Sequence, residues 1–425
     1  METLDSGTRV VTEAMPSVRS AALGFWVATG SALEDDAQAG LSHLVEHMLF
    51  RGSDRYGSLE LDQLFDALGG DLNAGTGKDS TSVHARVLDE RLPEAFDAMA
   101  DMVWRPRMDG EDLEAERRIV LEEIAMYEDD PQDKVFDVLG EAVFGGHPLG
   151  RAIIGTPEVI EGVQPRDLAT FHAARYRPEQ VVIAAAGSVD HDALVGLAQA
   201  ADPGSASGAV PPLAGQEPPP EQAGSLRFVA KPTEQVHVCL GAPGINRHDD
   251  RRFALRVLDT ILGGTSSSRL FQEVREERGL AYAVYSFQAT FHHSGQFGIY
   301  LGTRPDNLAE SLRVVAGELE RFCAVPLPDD ELHRAKEHVK GRLVLSLEST
   351  MARMSRLGTA LLGEVPLLSV DELLERIDAV SAEDVSALAV ELLAPHRLSA
   401  VGIGADEDAF RSAVALLSPA LAGPA

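Results

Sequence analysis

Residues 40–50 read GLSHLVEHMLF. Two histidines and a glutamate fall within five positions, set among aliphatic residues. Placed on a helix at about 100° per residue, Leu41, Leu44, Val45, Met48 and Leu49 gather on one arc. His43, Glu46 and His47 take the opposite arc. His43 and His47 are i and i+4, so their rings project side by side, one turn apart. That spacing lets two imidazoles reach one metal ion, with Glu46 placed to meet a water on that metal rather than the metal itself. The same arc also suits the wet side of an ordinary amphipathic helix. A catalytic zinc takes three protein ligands and one water, so the two readings separate on a third ligand.

HLVEH is the inverse of the HExxH zinc-peptidase signature, the order found in inverted zincins. A source for the third ligand lies downstream, in EDLEAERRIVLEEIAMYEDD, residues 111–130. Its period predicts a helix with Leu113, Val120, Ile124 and Tyr127 as the apolar stripe. Among its carboxylates, Glu116 and Glu123 stand closest to the edge of that stripe, two turns apart. Glu111, Glu114, Glu122 and Glu128 point elsewhere and read as a solvated face. A carboxylate at a core border needs a partner, because burying it alone is costly; a zinc ion is one such partner.

Moving outward, residues 201–224 are rich in Pro, Gly, Ala and Ser and lack a hydrophobic period. They read as an interdomain linker, stiffened by Pro218, Pro219 and Pro220. The expected division is 1–200, a metal-binding domain, and 225–425, a second domain. The flanking halves read alike. Each opens with strand-like alternation, TRVVTEAMPSVRSAALGFWVATGSA and SLRFVAKPTEQVHVCLGAPG. Each closes with long helical segments, 111–128, 133–143 and 165–175, then 328–349, 351–362 and 370–393. A short strand follows each set, VVIAAAGSV and LSAVGIG. The expected class is α+β: two similar domains, each a mostly antiparallel sheet with helices packed on one side.

Composition narrows the functional classes. At 425 residues the chain is long enough for two or three full cores. The formal net charge of −30 argues against nucleic acid and anionic membranes as partners. It serves solubility, or an acidic interior that attracts basic peptides. The longest apolar runs are far below the roughly 18 to 20 residues of a membrane span. METLDSGTRVV has no basic segment leading into an apolar core, so export is not expected and the cytoplasm is. Cys239 and Cys323 are far apart with no CxxC, which disfavours a disulfide framework or a cysteine zinc site.

The chain resembles the pitrilysin/insulinase metallopeptidases, family M16, and within them subfamily B, which includes the mitochondrial processing peptidase β subunit and bacterial homologues. HLVEH followed by Glu123, 76 positions after His47, matches the family's metal pattern. GSALEDDAQAGLSHLVEHMLFRGS resembles its metal-helix block and GGDLNAGTGKDST its substrate-edge strand. ILGGTSSSRLFQEVREERGLAYAVYS resembles its second-domain block and ELHRAKEHVKGRL its late helix. One departure is Val83, which stands where the family often has an aromatic residue; side-chain preference is expected to differ there.

The resemblance implies one Zn²⁺ per chain on His43, His47 and Glu123, although an N/O site also accepts Mn²⁺ or Co²⁺. It implies Glu46 as the general base and Glu116 as a support for the site that does not bind the metal. From the second half it implies Arg275 and Tyr282, seven apart in REERGLAY, as a pair serving the substrate. Asn73, Ala74, Gly75 and Thr76 are expected to offer a free sheet edge to a peptide or unfolded polypeptide. Gly263 and Gly264, leading into Thr265 to Ser268, are expected to form a flexible loop; no GK[ST] follows, so it is no phosphate loop. Two bowl-like halves enclosing a chamber, and a homodimer, are also implied. The competing implication is a non-catalytic or partner-dependent subunit of a heterodimeric complex.

Overall fold

The computed structural model describes residues 1–206, 215–394 and 396–421; residues 207–214 of the expected linker lie outside them. The alternating stretches become the strands of two mostly antiparallel sheets. The first contains β1 (Glu2–Thr3), β2 (Arg9–Ala14), β3 (Ser20–Val27), β4 (Asp71–Thr76), β5 (Thr81–Leu88) and β6 (Val181–Gly187), in the order β1-β2-β6-β3-β5-β4. The second contains β7 (Leu226–Ala230), β8 (Val236–Gly244), β9 (Ala281–Thr290), β10 (Gly295–Thr303) and β11 (Ser399–Gly404), in the order β7-β11-β8-β10-β9. Leaving β1 aside, the two orders are the same. In each sheet the last strand of the half slips between the first two. It pairs parallel with one (β6 with β2, β11 with β7) and antiparallel with the other. The likeness of the two halves is thus present in the topology.

Strands β3, β6 and β11 are buried at nearly every residue rather than at alternate ones. Such runs mark strands covered on both faces. On one face of the first sheet, Leu23, Phe25, Val27, Val83 and Ile183 share a core with Leu44, Val45 and Met48 of helix Leu41–Leu49. On its other face Ala22, Trp26, Val182 and Ala184 pack with Met354 and Leu357 of helix Thr350–Leu362. The Trp26 ring lies so close to that helix that a Cβ on Gly358 would stand 2.3 Å from it. The second sheet is built likewise. Val238, Leu240, Phe297 and Ile299 face helices that include Arg252–Leu262 and Leu308–Ala324. The opposite face is covered by helix Pro131–Phe144, where Phe136 stacks on Tyr300 at 5.7 Å between centroids and meets Phe287 at 5.1 Å.

Most helices therefore lie on one face of each sheet, and one further helix covers the other face. That further helix comes from the opposite half of the sequence. The compact units accordingly interleave: residues 1–125, 152–216 and 345–367 form one, and 126–151, 217–344 and 368–425 the other. This differs from a single cut at 201–224. Hydrophobic period shows that a helix has an apolar face, but not which sheet that face covers.

Three local details also differ from the sequence reading. The segment 370–393 is two helices, Val370–Asp378 and Ala382–Leu392. They part at Ser381, whose hydroxyl accepts the Asp384 N–H while Asp384 accepts the Ser381 N–H, a capping box. Tyr127, read as core stripe, is 46 % exposed. Gly263 is where the chain passes against β9: a Cβ there would stand 2.1 Å from the Ser286 backbone nitrogen. Among the described residues no helix is long and apolar enough to cross a membrane.

Candidate metal centre

Helix Leu41–Leu49 begins at Gly40, whose φ of +95° suits glycine. The start is held by Glu34, a buried carboxylate that accepts the N–H groups of Gly40 at 2.8 Å and Ser42 at 2.6 Å. A negative charge at a helix N-terminus satisfies its orphan donors and complements the dipole. Leu41, Leu44, Val45, Met48 and Leu49 are all buried, and this anchors the helix with His43, Glu46 and His47 on its open side.

The His43 and His47 rings lie 4.5 Å apart between centroids. Glu123, on helix Gly110–Asp129, brings its Oε2 to 3.8 Å from His43 Nε2 and 3.7 Å from His47 Nε2. The three ligand atoms lie within 4.8 Å of one another. Ligands about 2.0–2.2 Å from a tetrahedral zinc stand roughly 3.3–3.5 Å from each other. The observed spacing is a little wider, and two imidazoles with one carboxylate are a zinc-type donor set. The residues fit the ion.

The surroundings prepare these donors. Burial, and then the neighbouring His47, push His43 down to about 4, so its imidazole is neutral at neutral pH. Its Nδ1 is buried without a hydrogen-bond partner. His47 is treated differently. Burial lowers its pKa, but the bond to Glu116 and the charges of Glu123 and Glu116 outweigh burial, and the net shift is upward. Glu116 Oε2 lies 2.8 Å from His47 Nδ1. Burial works against the Glu116 carboxylate, yet bonds from His47 and Arg51 hold its pKa below the ordinary value. An ionised carboxylate only accepts, so His47 donates from Nδ1, while its Nε2 lies 3.7 Å from Glu123 Oε2. Arg51 Nε donates to the other oxygen of Glu116.

Glu46 stands beside the triad and outside it. Burial raises its pKa, opposed first by the hydrogen bond from the Thr76 hydroxyl. That hydroxyl, expected to serve substrate, lies 2.5 Å from Glu46 Oε2. The rest of the stretch behaves as an edge: among the described residues β4 pairs only with β5. A Cβ on Gly75 would meet nothing within 4 Å, and the Ala74 N–H is capped by Asn73 Oδ1 at 2.8 Å. Val83, one strand in, is fully buried in the first core.

In the second unit, Arg275 lies in the last turn of the π-helix Phe271–Glu276 and donates from Nη1 to the carbonyl of Tyr282 at 3.0 Å. Its guanidinium lies 4.5 Å from the Tyr282 ring centroid and 4.6 Å from that of Phe271. The pair is preformed, with Tyr282 78 % exposed. The structure thus brings His43, Glu46, His47, Glu116, Glu123 and Thr76 together, and separately Arg275 with Tyr282. Sequence reasoning missed Arg51 and Glu34. Arg51 was within reach, since it lies four positions after His47 on the same turn pattern; Glu34 bonds backbone and leaves no such signal.

A family model described as insulinase (peptidase family M16) matches residues 9–157, and one described as peptidase M16 inactive domain matches residues 162–339. A protein of Streptomyces coelicolor named an uncharacterized zinc protease is 42 % identical, covering 96 % of this chain and 90 % of its own length. One of the same description from Bacillus subtilis is 39 % identical, covering 92 % and 94 %. A solved structure described as the peptidase M16 inactive domain from Pseudomonas fluorescens superposes with TM-score 0.86 at 25 % identity, covering 95 % of this chain and 98 % of its own. A Helicobacter pylori protease shares the fold, with TM-score 0.90 at 21 % identity and the same coverage. The chain belongs to peptidase family M16.

Proposed function

We propose that this chain is a zinc-dependent endopeptidase of the inverted-zincin type, acting on peptides or unstructured segments bound as an extended strand. The observation that carries the reading is the convergence of His43, His47 and Glu123 with a second carboxylate, Glu46, beside them and not among them. The names of the relatives as zinc proteases support it. The competing reading, a non-catalytic or partner-dependent subunit, has no missing ligand in its favour.

Zinc, when bound, acts as a Lewis acid and lowers the pKa of a water it holds towards about 7. His43, His47 and Glu123 hold the ion, and Glu116, itself held by Arg51, orients His47. Glu46 takes a proton from the attacking water and hands it to the departing amide nitrogen, so one water is consumed per bond cut. The free edge of β4 binds the substrate backbone by strand addition at Asn73, Ala74 and Gly75. Arg275 and Tyr282 assist as a cation for a substrate carbonyl and a hydroxyl donor for the developing oxyanion; their preformed, exposed pairing supports this. A homodimer in the cytoplasm, one zinc per chain, completes the reading.

Wild type and Glu46→Gln are compared for metal content and for cleavage of an unstructured basic peptide. Near one zinc per chain is expected in both, with cleavage only by wild type. A wild-type protein that binds no zinc and cuts nothing sinks the enzyme reading.

A further inference from the structure

Strand β4 has two connections. Its outer edge lacks a partner strand among the described residues, and its last residue, Thr76, reaches Glu46. The Thr76 hydroxyl lies 2.5 Å from Glu46 Oε2, 3.5 Å from the Ser42 carbonyl and 3.5 Å from Thr81 Oγ1. A hydroxyl has one proton to give. Thr81 commits its own to the Thr29 carbonyl at 2.9 Å. A separation of 2.5 Å to a carboxylate falls in the charge-assisted range, so the Thr76 proton goes to Glu46. Along an antiparallel edge strand, alternate N–H groups face outward. Ala74 and Thr76 are two such groups. Asn73 Oδ1 caps the first, and the hydroxyl of the second residue, Thr76, reaches Glu46. The edge strand therefore runs up to Glu46, and the hydroxyl of its last residue touches the carboxylate.

We propose that Thr76 is a positioning residue, which ties the edge where an extended peptide docks to the placement of the Glu46 carboxylate. The inference rests on the reading of Glu46 as general base. Glu46 has three side-chain torsions and no other side-chain hydrogen-bond partner among the described residues. Thr76 is β-branched, stiff at its first torsion and fixed in a strand. The strand that aligns the peptide thus also holds the base, and the distance between the two is set by one rigid element.

The test uses the full-length, zinc-loaded enzyme with Thr76→Val, which keeps shape and loses the donor, and Thr76→Ser, which keeps the donor. Zinc per chain, kcat and KM on an unstructured peptide, and crystal structures of both variants are measured. Thr76→Val is expected to lower kcat on the order of 10- to 100-fold with KM and zinc content unchanged, and Thr76→Ser to recover to within about threefold of wild type. In the Thr76→Val crystal, Glu46 leaves its wild-type position. A raised KM with kcat preserved makes Thr76 a substrate contact and overturns the proposal. So does loss of zinc, or a Glu46 that stays in place with unchanged kcat. Persistent cleavage by Glu46→Gln sinks the base reading instead, while the position of Glu46 in the Thr76→Val crystal still tests the tether.

Discussion

His47 shows how much a single ring depends on its neighbours. One nitrogen faces Glu123 and the other donates to Glu116, which Arg51 in turn holds. Glu116→Gln keeps an acceptor for His47 but loses the charge that pairs with Arg51. Zinc affinity is expected to fall about 10- to 100-fold, as for other residues that orient a ligand from behind. Competition against a chromophoric chelator checks this, with Glu46→Gln as the control that binds normally. Equal affinity in Glu116→Gln and wild type removes Glu116 from the support of the site. The ligands themselves were legible because a helix turns i and i+4 to one side. Partners that bond across elements were not. Thr76 lies 30 positions from Glu46 in sequence, and no local period connects a strand end to a helix face.

At the scale of elements, the strands announced their surroundings better than the helices did. VVIAAAG in β6 is apolar at every position before the glycine, and all seven residues are buried. That continuity is the mark of cover on both faces, a signal that the expectation of helices on one side left unused. Helix Thr350–Leu362 supplies the cover, and its fit depends on Gly358 meeting the Trp26 ring. Gly358→Leu forces atoms into a filled space. The expected loss is about 1–3 kcal/mol from overpacking, seen as a lower urea midpoint with an unchanged m-value. An unchanged midpoint shows that the helix rides up without penalty and that the contact is loose.

For the whole molecule, the interleaved units predict how the chain responds to division. A fragment of residues 1–206 keeps helix Pro131–Phe144 but lacks helix Thr350–Leu362, so it exposes the Trp26 face of one sheet and the Phe136 face of one helix. Buried large side chains are worth about 1.5–3 kcal/mol each, and folded domains are stable by only about 5–15 kcal/mol. The fragment alone is expected to lack near-UV circular dichroism and to aggregate. Co-expressed with residues 215–425, it is expected to elute as a one-to-one complex. A well-folded monomer of 1–206 alone contradicts this. Composition and the 201–224 stretch made two halves visible. Exchange of their helices was not visible, because it is decided by which apolar surfaces meet and not by either surface alone.

The exchange also bears on descent. The helix given by each half holds the same place in chain order, after the long helix that ends at Asp129 in one half and at Ser346 in the other. A forerunner with one sheet and one such helix would leave a face bare unless a second copy donated its own helix. Such a forerunner is a domain-swapped pair. Joining the two copies through one linker turns that swap into an intramolecular one and frees one copy to lose the HxxEH pair while the other keeps it.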